Sequence, residues 1–106
     1  MNQPIMNEQA TNEQTIILDV PNHVTKLAGY PLGEALYDKY VKNAVDLSRN
    51  ITLVFPSHVD RIASSFVQGF FKEIKLQIGI SGIEQRFEFQ SSSITDVKGF
   101  ILHNLT

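Results

Sequence analysis

The sequence predicts an α/β domain in which three helices cover a small mixed, mostly parallel sheet. Segments rich in β-branched residues alternate along the chain with amphipathic segments, and one strand is apolar on both faces. Strands joined by helices form right-handed parallel crossovers. A chain of 106 residues is long enough for one domain with its own core.

The first half of the chain predicts a strand, a return strand and a helix. Residues 15–20 are rich in β-branched residues and stop at Pro21, which is typical of a strand. We interpret residues 23–27 as the return strand of a hairpin. A helix over residues 32–48 follows, because apolar residues recur there every three or four positions. These residues are Leu32, Leu36, Tyr40, Ala44 and Leu47.

The second half predicts the centre and the edge of the sheet. Ile51–Phe55 is apolar at four of five positions, so we expect a central strand covered on both sides. Residues 86–90 alternate between polar and apolar, which is typical of a half-exposed strand near an edge.

Two further helices are expected over residues 65–78 and 93–104. Gly79 is a plausible stop for the first of them. Ser93 with Asp96 fits a capping box at the start of the other.

The N-terminal residues 1–14 differ in composition from residues 15–106, which we take as the folded domain. The tail is rich in Asn and Gln and carries Glu8 and Glu13 but no Lys or Arg. We expect it to be mobile in isolation, and it lacks the basic start and apolar run of a secretory signal. Packing on a neighbouring chain would order the tail and make the protein a homodimer.

Charge and composition exclude several classes of function. Residues from Thr15 onward carry nine acids and nine scattered bases, without the basic patch of a nucleic-acid-binding protein. There is no cysteine, and His23, His58 and His103 have no metal-ligand spacing, so no metal or cofactor is expected. No segment reaches the roughly 20 apolar residues of a membrane helix. We therefore expect a cytoplasmic protein without a membrane contact.

The candidate functional site is the segment 57–65, between the central strand and the next helix. Polar residues cluster there beside a positively polarised helix start. Hydroxyls and free amides at such a place bind a phosphate or a partner's carboxylate, or only cap the helix, as a capping box of Ser65 with Gln68 would. An Asp60–Arg61 pair is interpreted as a local surface ion pair, although arginine also binds carboxylates and phosphates. The partner-binding residues are predicted to be Asp60, Arg61, Ser64 and Ser65.

An enzyme is the alternative to a binding domain. His58, Asp60 and Ser64 have the residue types of a serine triad, but they crowd into one loop and the chain has no Gly-x-Ser-x-Gly run. Gly79-x-x-Gly82 lacks the lysine of a phosphate loop. The prediction is therefore a protein without enzymatic activity. A small hydrolase or nucleotide-handling enzyme that uses the 57–65 loop stays as the second hypothesis.

Several short motifs resemble the bacterial STAS-like domains of unknown function, which are related to sulphate transporter and anti-sigma factor antagonist domains. The resemblance covers about Thr15 to Leu105 and implies the STAS-like α/β fold. The motifs are Gly33–Leu36, Ile51–Phe55, Val59, Ile62 and Ser64–Phe66.

This resemblance implies a regulatory protein–protein interaction domain that acts by partner switching in bacteria or phage. The implied partner is a histidine-kinase-like ATPase or a sigma-factor regulator. In the antagonist proteins a kinase phosphorylates the first serine of an Asp-Ser-Ser-Gly motif, which makes Ser64 the candidate phosphoacceptor. Ala63 and Phe66 replace the Asp and Gly of that motif, which favours a divergent interaction domain over a phosphorylation switch.

Overall fold

The computed structural model describes residues 13–106, and this part of the chain forms three helices and two parallel sheets. The α/β class is therefore confirmed. Residues 1–12, which make up most of the predicted tail, lie outside the described residues. The elements are β1 Glu13–Ile17, β2 Lys26–Leu27, α1 Tyr30–Tyr40, β3 Asn50–Val54, β4 Arg61–Ile62, α2 Ser64–Arg86, β5 Phe87–Gln90 and α3 Val97–His103.

The main sheet has the strand order β1-β3-β5, and both of its strand pairs are parallel. The central position of the Ile51–Phe55 strand is confirmed, as is the edge position of the strand predicted at residues 86–90. Ile16, Leu53 and Phe89 lie side by side in the register, which forms one apolar row across the sheet.

The core lies on one face of this sheet, so the prediction that the central strand is covered on both sides was wrong. Ile51, Leu53 and Phe55 are almost fully buried. Thr52 and Val54 point to the opposite face and are only half-buried. We call this opposite side the open face, and it carries Thr15, Ile17, Thr52, Val54, Glu88 and Gln90. The presence of Thr52 and Val54 does not show whether this face is covered, because β-branched residues suit a strand in either case.

The predicted hairpin after β1 was also wrong. The strand found near residues 23–27 is β2, and it pairs in parallel with β4 rather than with β1. All strand pairs among the described residues are parallel, so the mixed component of the predicted sheet is absent from them. A local return is the default expectation after a turn at Pro21, whereas the observed pairing joins residues 35 positions apart, such as Lys26 and Arg61.

The first helix ends at Tyr40, earlier than predicted, and a contact from β1 holds the residues that follow it. The side-chain amide of Gln14 donates to Asp46 O at 2.8 Å, and Asp46 N donates back to Gln14 Oε1 at 2.7 Å. Ser48 Oγ and Ser48 N both donate to Asp46 Oδ1, which also holds the pKa of this carboxyl below its ordinary value. These bonds draw residues 45–49 into a connection towards β3, although their apolar spacing is helical.

The second helix is interrupted at Gly79, where the backbone adopts φ 73° and ψ 173°. This conformation is accessible to glycine and strained for other residues. The predicted stop therefore marks a real break, but the chain resumes a helix over residues 80–86 before it enters β5. No helix in residues 13–106 has the length and apolar character needed to cross a membrane.

Helices α1 and α2 approach closely through two glycines. A Cβ atom on Gly33 would lie 2.5 Å from Phe70 N, and one on Gly69 would overlap the carbonyl oxygen of Tyr30. Phe66 and Phe70, whose backbone atoms lie nearest to Gly33, are almost fully buried. The close approach fixes the start of α2, which carries part of the candidate site, against the start of α1.

The third helix begins four residues later than predicted, and its cap differs. Asp96 is itself the N-cap, at φ 49°, and its side chain accepts a hydrogen bond from Gly99 N. The hydroxyl of Ser93 instead donates to Ser57 O, and Ser91 Oγ accepts from Ser93 N and Ile94 N. The Ser93–Asp96 capping box was therefore wrong, because the serines stabilise a turn between β5 and α3.

Candidate functional site

The segment 57–65 is held in place by the small β2–β4 sheet. Asp60 N donates to Thr25 O at 2.9 Å, and Ala63 N donates to Leu27 O at 2.8 Å. Val59 between them is fully buried. The predicted site thus has a hydrogen-bonded backbone with a buried anchor, and its polar side chains project from an ordered frame.

Asp60 and Arg61 form the surface ion pair that the sequence predicted. Arg61 Nε lies 3.3 Å from Asp60 Oδ1, and the two side chains remain 65% and 55% exposed, respectively. An exposed pair of neighbours contributes little to stability, about 0–1 kcal/mol. Both charged groups therefore stay accessible from solvent.

Ser64 and Ser65 have different environments. Ser64 is exposed in the first turn of α2, whereas Ser65 is half-buried and its Oγ accepts a hydrogen bond from Gly29 N at 3.0 Å. This bond joins the start of α2 to the residue that precedes α1. The hydroxyl of Ser65 consequently has a structural partner, and that of Ser64 faces solvent.

The predicted capping box of Ser65 with Gln68 was wrong. The N-cap of α2 is Ala63, which makes no side-chain cap bond and has the extended conformation φ −96°, ψ 155°. Strand β4 continues directly into this residue, because Ala63 N is bonded to β2, and the helix therefore begins at Ser64. The first helical bond runs from Val67 N to Ala63 O, so the amides of residues 64–66 are the free donors of the first turn.

His58 lies in the same segment but is turned away from the serine pair. Its Nε2 is 3.1 Å from Val20 O, in the loop that follows β1, and the ring is half-buried. Among residues 13–106, no hydrogen bond joins His58 to Ser64 or to Ser65. The arrangement that a serine nucleophile requires, with a base within hydrogen-bond reach, is not assembled in this structure.

A second polar surface, which we call the charged groove, lies between α1 and α2. Lys72 Nζ is 4.0 Å from Glu34 Oε2 across this groove. Tyr37 lines the groove and is only 7% exposed. Its burial raises the pKa of the phenol, and the carboxylates of Glu73 and Asp38 raise it further. The groove is lined by Glu34, Tyr37, Asp38, Lys42, Asn43, Gly69, Lys72, Glu73 and Gln77.

Sequence reasoning missed the charged groove, because its residues come from two helices whose pairing was not predicted. The available signal was a glycine within the apolar pattern near the start of each helix, at Gly33 and Gly69. Glycine weakens a helix interior, so its presence on two neighbouring helices indicates a close backbone approach.

A shallow depression at the carboxyl ends of β3 and β5 is a third polar surface. It is lined by Val54, Phe55, Ser57, Phe89, Gln90, Ser91 and Ser92. Ligands of open parallel sheets often bind at this end of the strands. Its lining residues include no charged side chain, so it offers an anion no counter-charge.

Residues 13–106 contain no group of three histidine, aspartate or glutamate side chains that could hold a metal ion. In the described part of the chain, the predicted site thus consists of an exposed ion pair, an exposed hydroxyl and the amides of a helix start. This arrangement is suited to contact with a charged or polar group on another molecule. No protein-family description, curated protein or solved structure matches the chain, so the resemblance to STAS-like domains remains a prediction.

Proposed function

We propose that this chain is a regulatory protein–protein interaction domain without enzymatic activity, whose partner binds the surface formed by residues 57–65. The observation that supports this most is the contrast between backbone and side chains in that segment. The backbone is tied to β2 by hydrogen bonds, while Asp60 and Arg61 remain more than half exposed. A rigid frame with accessible charges lowers the ordering cost that binding otherwise incurs.

Arg61 and Ser64 have separate roles in this proposal. The guanidinium of Arg61 would exchange its neighbour Asp60 for a carboxylate of the partner, since arginine binds such groups with two parallel hydrogen bonds. Ser64 lies at the positive end of the α2 dipole, where its hydroxyl and the first-turn amides would meet a partner's acceptor. Ser65 supports the site by holding Gly29 in place.

In the regulatory setting that the STAS-like resemblance suggests, the partner is a histidine-kinase-like ATPase or a sigma-factor regulator in bacteria or phage. Ser64 is then the phosphoacceptor candidate, because its hydroxyl is exposed and that of Ser65 is already bonded. A phosphate on Ser64 would sit beside the amides of a helix start, which is a favourable position for negative charge.

The enzymatic hypothesis receives less support, since His58 bonds to Val20 O rather than to either serine. A test of that hypothesis is a broad hydrolase screen of the wild type against the Ser64→Ala and His58→Ala variants. Turnover that is lost in both variants would reject the interaction-domain proposal.

The binding surface itself is tested with a partner recovered by pull-down from the cells that express this chain, followed by calorimetry on the purified pair. We expect Arg61→Ala to weaken affinity by about tenfold or more, as loss of a well-placed charge contact does. Ser64→Asp should also change affinity, while the matched surface variant Lys42→Ala should not. Unchanged affinity for both loop variants would move the partner site elsewhere on the domain.

A further inference from the structure

An apolar groove along α2, which we call the Leu76 groove, adjoins the charged groove and shares Lys72 with it. Leu76 is 75% exposed, the largest exposed fraction among the large apolar side chains of residues 13–106. Tyr30, Phe71 and Leu105 line the groove beside it, and its volume is about 580 Å³. Binding clefts usually have volumes of about 300–1,000 Å³. The groove is therefore large enough to receive the side chains of a short peptide segment.

The charged side chains that line the Leu76 groove are both lysines, and one of them, Lys72, also lies 4.0 Å from Glu34 of the charged groove. Lys72 and Lys75 line it, and no aspartate or glutamate does. Lys75 Nζ donates to Leu105 O at 2.8 Å, which holds the C-terminal residues against α2 and fixes one ammonium group at the rim. A complementary occupant would combine large apolar side chains with a nearby carboxylate.

We propose that residues 1–12 of this same chain occupy the Leu76 groove, rather than being mobile as their composition alone predicts. This segment contains Ile5 and Met6, then Glu8, and no Lys or Arg. In this arrangement Ile5 and Met6 cover Leu76, and Glu8 lies near the lysines. Burial of the apolar pair supplies the favourable free energy, and the charge pairing selects this surface over others.

The length of the segment is compatible with this position. Ile5 precedes Glu13 by eight residues, and eight extended residues span up to about 28 Å. This reach is comparable with the two shorter dimensions of the protein, 30 and 25 Å. The length of the segment therefore does not confine Ile5 and Met6 to the surface beside Glu13.

The open face of the main sheet is the competing position for the same segment. Ile17 is 64% exposed there, so this face also offers apolar surface. It carries Glu88 and no basic residue, however, so Glu8 would meet a like charge. Charge complementarity thus favours the Leu76 groove.

The proposal can be tested on the full chain by paramagnetic relaxation, since the absence of cysteine allows one nitroxide label on a Gln3→Cys variant. The reporters are the methyl groups of Leu76 and Leu105 in the groove and those of Val54 on the open face. We expect a selective loss of signal for Leu76 and Leu105 and an unaffected signal for Val54. Loss at Val54 instead, or weak uniform loss, would refute the proposal.

Variants of the groove test whether the signal loss depends on contacts with the groove or only on a label that happens to be nearby. With Leu105 as the reporter, Leu76→Ser or Lys72→Gln should restore the signal, while Lys42→Gln outside the groove should leave the loss unchanged. High salt should also weaken the effect, because the charge pairs are exposed. If the Leu76→Ser variant keeps both its spectrum and the full signal loss, the groove is not the docking site.

A final sample distinguishes the chain's own segment from that of a second copy. It mixes isotope-labelled chain without nitroxide and nitroxide-labelled chain without isotope. We expect no signal loss at Leu105 in this mixture. Loss of the same size as in the doubly labelled chain would show that the segment of a neighbouring molecule occupies the groove, and would overturn the proposal.

Discussion

The close contact between α1 and α2 predicts that Gly69→Ala lowers the free energy of unfolding. Helix propensity alone predicts the opposite sign. In an exposed helix interior, Gly→Ala is stabilising by about 1 kcal/mol, because alanine has the higher helix propensity. At Gly69 a Cβ would overlap Tyr30 O and lie 3.0 Å from Tyr30 C. The atoms it meets are backbone, so no side chain can move aside and the helices must separate.

The expected magnitude follows from these two contributions. Overpacking of this kind costs typically about 1–3 kcal/mol and occasionally more, and separation would also loosen the packing of Phe66 and Phe70. We take about 3 kcal/mol for the clash and subtract about 1 kcal/mol for propensity, which leaves a loss of about 2 kcal/mol for Gly69→Ala. For a domain of this size, that loss lowers Tm by about 8–16 °C.

The assay is urea unfolding and thermal melting of Gly69→Ala beside Gln68→Ala. Gln68 is exposed on the preceding position of the same helix, so its variant should stay within about 0.5 kcal/mol of the wild type. A Gly69→Ala protein that is as stable as the wild type, or more stable, would refute the close helix contact.

Three further predictions concern single groups. Gly79→Ala should destabilise by about 1–3 kcal/mol in urea unfolding, because φ 73° is strained for alanine although its Cβ would meet no atom; an unchanged midpoint would mean that α2 is continuous. Ser65→Ala should cost about 1–2 kcal/mol, because Gly29 N loses its acceptor, whereas Ser64→Ala should change the unfolding free energy by less than about 0.5 kcal/mol. A reversed order of these two losses would assign the structural role to Ser64. Because the pKa of Tyr37 is raised above 10.0 in the folded state, its stabilising contribution is complete below that pH and is lost as pH rises through the folded pKa. Unfolding free energies measured from pH 8 to pH 11 should therefore fall more steeply for the wild type than for Tyr37→Phe, and identical slopes would contradict this burial effect.

The main elements of this fold could be predicted because their signals are local. The apolar run of Ile51–Phe55 predicted the central strand, although the coverage of both faces inferred from it was wrong, and the alternation around Phe87 indicates an edge strand. The break at Gly79 could be predicted because glycine is the residue that tolerates a positive φ. In each case the signal lies in a residue and its neighbours in the chain.

The missed features depend on partners far away in the sequence. Residues 45–48 continue the apolar spacing of the helix but lie beyond its end at Tyr40, where the side chain of Gln14, more than 30 residues earlier, bonds to Asp46. The serine pair was interpreted as a local cap, yet Ser65 Oγ accepts from Gly29 N, 36 residues away. A hydroxyl can serve either partner, and its own sequence neighbourhood does not distinguish them.

The same division applies to the candidate site. The sequence by itself determined that residues 57–65 are polar, that Asp60 and Arg61 would form an ion pair, and that a helix would start beside them, because these properties follow from composition and spacing. Only the tertiary structure decided that Ser64 faces solvent while Ser65 is bonded, that His58 turns to Val20, and that Glu34 and Lys72 meet across a groove. These outcomes depend on how α1 and β2 pack against α2 and β4. That packing arises from the burial of apolar surface shared by distant segments, which no short window of sequence contains.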